Sequence, residues 1–192
     1  MTDAQLIREI KDGDVQLYAH IVVRYERKIR AFVLHIIKAT PIAHLVDDIT
    51  QDAFFSAFHH LAHFREGEAA FSTWLYTIAR NRAISELRKR ALADVSIDDE
   101  HVDAPVSADW SSPEHVALRK EKISLVREAI AQLPEKQRTA LVLREYEGLD
   151  YQEIANVLAT TVSAVKSLLF RARATVRQRL GHYVGHVEEA GG

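Results

Sequence analysis

The chain has 192 residues, a formal net charge of -2 and no cysteine, which leaves room for one large or two small domains and excludes disulfides and a thiolate metal site. With only 7 glycines and 4 prolines among abundant Leu, Ala, Glu and Arg, the composition favours helix. The N-terminal run MTDAQLIREIKDGD has no apolar core of signal-peptide kind, and no window nears the roughly 20 apolar residues of a membrane span, so a cytoplasmic chain without membrane insertion is expected.

Taken in order, Thr2–Lys11 reads as a short helix stopped near Gly13. Residues 14–38 repeat apolar side chains at Leu17, Ile21, Phe32, Val33, Ile36 and Ile37, which predicts one long amphipathic helix broken at Thr40-Pro41. Residues 44–64 follow, with Leu45, Ile49, Ala53, Phe54, Ala57, Phe58 and Leu61 along one side. Asp47, Asp48 and Asp52 fall in the first turns, where acids suit the helix dipole. Residues 70–90 form the fourth predicted helix, with Phe71, Trp74, Leu75, Ile78, Ile84 and Leu87 at helical spacing.

Residues 91–118 then hold seven acids, no Lys or Arg, Pro105, Pro113 and four serines. They read as a flexible acidic linker between two helical domains. Residues 119–132 are predicted helical. A further helix starts after Leu133-Pro134 and ends before Gly148, and 182–192 reads as a frayed tail. The expected fold is therefore all-α, with small domains over 1–90 and 115–181 joined by a linker over 91–114.

Two stretches carry chemistry. In Tyr151–Leu180 a short helix with Ile154, Ala155 and Leu158 meets a polar turn, Ala159-Thr160-Thr161, whose threonines can cap the next helix. That helix buries Val162, Val165, Leu169, Ala172, Val176 and Leu180 and turns Ser163, Ala164, Ser167, Phe170 and Arg171 outward, with Lys166, Arg173 and Arg177 as a flanking stripe. Residues 162–180 carry five basic side chains and no acidic one. This is a helix-turn-helix suited to a DNA major groove. In residues 64–90, aromatic and basic residues are interleaved: Phe64, Arg65, Phe71, Trp74, Tyr76, Arg80, Arg82, Arg88, Lys89 and Arg90. Cations neutralise phosphates and aromatic faces stack on unpaired bases, so the pattern suits single-stranded or opening DNA. Within it Trp74, Leu75 and Ile78 read as core, while Tyr76, Thr77, Arg80 and Asn81 read as contacts.

Three segments resemble a bacterial sigma factor of the extracytoplasmic-function (ECF) group of the sigma-70 family. They are Asp48-Ile-Thr-Gln-Asp-Ala-Phe54; Phe64-Arg65 with Phe71-Ser-Thr-Trp-Leu-Tyr-Thr-Ile-Ala-Arg-Asn81; and Leu133-Pro-Glu-Lys-Gln-Arg138 followed by Leu143–Gly148, Tyr151–Ala155, Val165–Ser167 and Phe170–Arg173. The resemblance implies binding to RNA polymerase core through Asp47, Asp48, Gln51, Asp52 and Phe54. It implies minus-ten recognition and melting by Phe64, Arg65, Phe71, Tyr76, Thr77, Arg80, Asn81 and Arg82, with base capture by the loop at 61–70. Minus-thirty-five contacts would come from Arg144, Tyr151, Thr161, Ser163, Lys166, Ser167, Phe170, Arg171 and Arg173. The partners implied are core polymerase, promoter DNA and an anti-sigma factor; no cofactor or small-molecule ligand is expected.

Two positions depart from the family pattern. Ala159 stands where Gly is frequent, so a turn needing positive φ would cost about 1 kcal/mol. Leu168 stands where a basic residue is frequent. His59 and His63 lie one helical turn apart, as do His182 and His186, but HHLAH lacks the glutamate of the protease motif, and no metal site is expected. There is no Gly-rich phosphate loop, no Gly-x-Ser-x-Gly and no Cys nucleophile, so no catalysis is expected. The alternative is a helix-turn-helix repressor or activator whose N-terminal half dimerises or senses a ligand. Burial of Trp74, Tyr76 and Arg80 together would favour it.

Overall fold

Eight α-helices and no strand make up residues 1–93 and 113–189, the part described by a computed structural model. The stretch 94–112, which holds most of the expected acidic linker, and residues 190–192 lie outside the described residues. Helix α1 (Asp3–Lys11) opens with a reciprocal cap: the Gln5 amide donates to Thr2 Oγ1 at 3.3 Å and the Thr2 amide donates to Gln5 Oε1 at 2.8 Å. Gly13, at φ +120°, turns the chain after it.

The predicted helix over 14–38 divides into one 3₁₀ turn, Val15–Leu17, and α2 (Tyr18–Ile37). The helix expected over 44–64 is likewise flanked by 3₁₀ turns: Ala43–Leu45, then α3 (Val46–His60), then Leu61–His63. Helix α4 (Phe71–Ala93) completes the N-terminal half. Ile21, Ile29, Phe32, Val33, Ile36 and Ile37 of α2 pack with Ile49, Ala53 and Ala57 of α3 and with Leu75, Ala79 and Ala83 of α4.

In the second half, α5 (Pro113–Ala131) starts earlier than the composition suggested. Pro113 occupies the first helical position, where its missing N–H costs nothing. Helices α6 (Glu135–Glu145) and α7 (Tyr151–Leu158) follow, and α8 spans Val162–Glu189. The end expected near Leu180, with a frayed tail from 182, is corrected: the helix continues through Gly181 and Gly185 to Glu189, each interior glycine costing only about 1 kcal/mol. Leu141, Val142, Leu143, Ile154, Val157, Leu158, Val165, Leu169 and Ala172 form the core here.

The two halves touch: α6 lies against α2 and α7 against α4. Arg138 of α6 is only 6% exposed, and its Nη2 donates to the Ile36 carbonyl at 2.8 Å while Nη1 donates to the Ala131 carbonyl. The last carbonyls of a helix lack intrahelical donors, so a guanidinium at the end of α2 satisfies both charge and hydrogen bonding. Nε of Arg138 is buried without a partner, so this contact is a costly one to leave half made.

His35 lies at the same junction, its ring 5.1 Å from that of Tyr146. Burial, with Arg127, Lys38 and Arg138 around it, lowers its pKa from 6.5 to about 4. Because the folded value lies below the unfolded one, its stabilising contribution is complete above pH 6.5 and is lost as pH falls through about 4. Thermal unfolding of the wild type should therefore decline across this window, and His35→Gln should flatten the decline. Parallel curves for the two proteins would show that other groups carry the acid sensitivity.

Candidate polymerase and DNA interfaces

The turn between α7 and α8 is built from local hydrogen bonds. Asp150 and Glu153 cap α7 reciprocally, each amide donating to the other's carboxylate at 2.8 Å. The helix ends at Ala159, with φ 49° and ψ 54°. The Ala159 amide donates to the Asn156 carbonyl at 3.2 Å and the Thr160 amide to the Ala155 carbonyl at 2.9 Å, the paired bonds of a Schellman motif. Thr161 Oγ1 then accepts from the Ala164 amide at 3.1 Å and starts α8. The chain bends by 96° between the two helices.

Ala159 is thus the one non-glycine residue at positive φ among the described residues, and the suspected departure is a real strain. Ala159→Gly should raise stability by about 0.5–1 kcal/mol, the left-handed penalty being partly offset by glycine's larger unfolded entropy. Denaturant unfolding at matched slope checks this, and a lower midpoint for the variant would contradict it.

On α8, Val165, Leu169 and Ala172 are buried, while Thr161, Ser163, Lys166, Ser167, Phe170 and Arg171 are exposed. Phe170 is 75% exposed, the kind of apolar side chain that contacts a thymine methyl in the major groove. Arg173 is exposed too, but its Nη2 donates to Glu145 Oε1 at 2.7 Å. Arg144 is spent within the fold: Nη1 donates to the Leu149 carbonyl at 2.9 Å, and the guanidinium lies 5.1 Å from the Tyr151 ring centroid. Arg144 and Tyr151 therefore brace the turn entering α7 rather than stand free.

The residues expected at the minus-ten element fall into three groups. Phe64 and Phe71, 6% and 5% exposed, are core; their rings meet edge-on at 5.5 Å and both pack on Trp74. Their expected role as DNA-stacking faces is corrected to one of shaping the loop between α3 and α4. Lys11 Nζ donates to the Phe64 carbonyl at 2.6 Å, and Arg8 pairs with Glu66 at 3.1 Å, so α1 anchors that loop. Arg65, Asn81 and Arg82 are exposed; Arg82 donates to Ser56 Oγ at 3.0 Å.

The third group is covered by the other half of the chain. Tyr76 is 2% exposed, its ring edge-on to Phe32 at 5.0 Å and its hydroxyl donating to Glu147. Arg80 forms a bidentate pair with Glu135, Nε to Oε1 at 2.9 Å and Nη2 to Oε2 at 2.8 Å. Thr77 is half-buried and bonds to the Thr73 carbonyl within its own helix. Tyr76 is thus buried, Arg80 and Trp74 only half so, and the cover over Tyr76 and Arg80 includes acids from the second half.

Asp48, Gln51 and Asp52 stand exposed on α3. Asp47 is exposed but accepts from Arg30 Nε at 2.6 Å. Phe54, expected to face a partner, is only 6% exposed and offers little more than its edge; its neighbour Phe55, 69% exposed, is the aromatic that projects. A groove between α2 and α3 runs past it, lined by Tyr18, Val22, Gln51, Phe54, Phe55 and Phe58, so Phe54 contributes to its wall. Among the described residues no three His, Cys, Asp or Glu side chains converge as a metal site would require; His60 bonds to the Ser56 carbonyl and His59 packs on Phe55.

Known proteins are similar to this chain in sequence and in fold. The family profile for sigma-70 region 2 matches residues 21–92, and that for sigma-70 region 4 matches residues 123–176. The RNA polymerase sigma-H factor of Pseudomonas aeruginosa is 38% identical over 184 residues, 93% of each chain. The ECF RNA polymerase sigma-E factor of Escherichia coli K12 is 34% identical over 186 residues, 94% of this chain and 95% of that one. Two solved structures share the fold at 23% identity and TM-score 0.68. One is CnrH in complex with the cytosolic domain of CnrY, with 94% of this chain and 97% of that chain covered. The other is the sigma factor RpoE of Bartonella quintana with the anti-sigma factor NepR, with 85% and 96% covered. With both regions matched in order and full-length relatives at this identity, the chain belongs to the sigma-70 family of RNA polymerase sigma factors, in its extracytoplasmic-function group.

Proposed function

We propose that the chain is an alternative sigma factor that binds RNA polymerase core, directs it to specific promoters and helps open the DNA, without catalysis of its own, in the cytoplasm. Residues 1–90 act as the core-binding and minus-ten domain, and residues 115–181 as the minus-thirty-five domain. The observation that carries this reading is the exposed row Ser163, Lys166, Ser167, Phe170 and Arg171 on a helix set at 96° to its partner, in a chain whose other half matches sigma-70 region 2. Duplex binding at this row supplies affinity. Capture of an unstacked base by the loop after α3, beside Arg65 and Asn81, stabilises the open strand. Core polymerase docks on α3 through Asp48, Gln51, Asp52 and the neighbouring Phe55.

A repressor or activator built on the same helix-turn-helix would give residues 21–92 no reason to match sigma-70 region 2. Among the described residues no single helix is long and apolar enough to cross a membrane. Since Bartonella RpoE is solved with the anti-sigma factor NepR, an anti-sigma factor is the partner proposed to hold this chain inactive, by covering the DNA-binding faces of both halves. Co-elution of the purified chain with bacterial core polymerase tests the reading. A stoichiometric complex that Asp48→Ala with Gln51→Ala weakens supports it. Duplex DNA binding without any core complex would return the repressor reading to first place.

A further inference from the structure

The loop over 64–70, between the 3₁₀ turn Leu61–His63 and α4, does little to hold its own shape. Within 65–70 the one backbone bond among the described residues runs from the Glu68 amide to the Arg65 carbonyl at 3.4 Å, long for a hydrogen bond. Gly67, at φ +100°, turns the chain at the middle. The remaining grip comes from α1. Lys11 Nζ donates to the Phe64 carbonyl at 2.6 Å and lies 5.9 Å from the centroid of the same ring. Three residues earlier, Arg8 forks onto Glu66: Nε lies 3.3 Å from both carboxylate oxygens and Nη2 3.1 Å from Oε2. A spacing of three puts both cations on one face of α1. They hold Phe64 and Glu66, and Arg65 stands exposed between these two.

Helix α1 is itself fixed at its other end. Leu6, Ile7 and Ile10 are buried, and Asp3 accepts from Arg24 and from the Tyr25 hydroxyl of α2. The Tyr25 ring meets Phe71 edge-on at 5.9 Å, and Phe71 packs on Phe64 and Trp74. Both ends of the loop thus rest on groups tied to α1. The side chains of Arg8 and Glu66 are 66% and 36% exposed, and ion pairs so exposed contribute little to stability. Their effect is on position.

Resting on the sigma-factor reading above, in which this loop captures an unstacked base, we infer that Lys11 and Arg8 are positioning residues for that capture: α1 sets the shape of the loop, and through it the base preference at the minus-ten element, without touching DNA. Both cations are already engaged by the protein's own oxygens, which leaves them poorly placed to serve as phosphate contacts. Recognition that depends on alignment is sensitive to small shifts; a misplacement of about 1 Å can cost a hundredfold.

The test uses the full chain with bacterial core polymerase, on double-stranded templates carrying an element pair that the wild type selects, each element randomised in turn. Lys11→Met keeps the stem and loses the donor. It should lower discrimination among minus-ten sequences roughly tenfold. Minus-thirty-five discrimination, core binding and the salt dependence of promoter binding should not change, and Lys11→Arg should restore most of the loss. Arg8→Glu should act in the same direction by less, and Arg8→Glu with Glu66→Arg should recover wild-type selection; this pair of variants serves if Lys11→Met folds poorly. Unchanged minus-ten discrimination in Lys11→Met and Arg8→Glu overturns the inference. A loss shared equally by all sequences, with a salt slope lower by about one unit, is the signature of a phosphate contact and overturns it too. So does a loss at both elements that follows a fall in thermal stability. A wild-type chain that starts no transcripts overturns the sigma-factor reading itself, whereas a wild type that transcribes while both variants choose the same sequences overturns the positioning role alone.

Discussion

Replacing Lys166 and Arg171 together by Ala should lower affinity for duplex promoter DNA by about a hundredfold, at roughly 1–3 kcal/mol per lost base contact. The backbone of α8 should not notice. Both side chains are exposed, and the helix is held by Val165, Leu169 and Ala172, which are buried at 0%, 1% and 0% exposure. If either cation binds phosphate rather than a base edge, its removal weakens all sequences alike and lowers the salt slope by about one unit. Titrating specific and scrambled duplexes at two salt concentrations therefore assigns each residue its role. Promoter selection unchanged in both single variants would mean that α8 does not enter the groove by this face.

The second large effect is expected at Phe55. An aromatic side chain 69% exposed beside an apolar groove has the character of an interface anchor, and truncating such an anchor costs about 2 kcal/mol or more. Phe55→Ala should weaken core polymerase binding by roughly thirtyfold, while stability stays within about 0.5 kcal/mol because little is buried there to lose. Phe54→Ala should do the reverse. That ring is buried at 6% exposure, so its loss destabilises the fold by about 3–5 kcal/mol. Measuring core binding and thermal stability on both variants separates the two neighbours. A Phe55 variant that binds core normally would remove the groove from the docking surface.

The contrast between Phe54 and Phe55 shows where sequence reading reaches and where it stops. Helical periodicity placed Phe54 on the apolar side, and the structure agrees; the resemblance also assigned it a partner, and the exposed neighbour is better placed to serve. Phe64 and Phe71 failed for a related reason. Interleaved aromatics and cations look alike whether the rings stack on bases or on each other, and only their convergence on Trp74 shows the latter. Local chemistry was read well where it is local. Thr161 caps α8, Gly13 and Gly148 turn the chain at positive φ, and the doubt over Ala159 is met by φ 49°.

The contact between the halves was not legible. Glu135, Glu147 and Glu153 are 55, 71 and 80 residues from their partners, and each has an ordinary local reason to be acidic or polar. Glu153, for instance, also completes the cap of α7. Nothing in a one-dimensional pattern tells a capping glutamate that it will face Thr73. Arg144 was hidden for a different reason: its partners, the Leu149 carbonyl and the Tyr151 ring, are only five and seven residues on, but the turn after α6 has to fold before they meet its guanidinium.

Mapping transcript starts separates a sigma factor from any other DNA-binding protein. The purified chain is added to bacterial core polymerase on a library of double-stranded templates. Discrete starts are expected, seen only when the chain is present and preceded by two spaced sequence elements, with Lys166→Ala and Arg171→Ala relaxing the upstream element alone. Core polymerase that starts no new transcripts with the chain present, in a preparation that still binds duplex DNA, would contradict the sigma-factor reading.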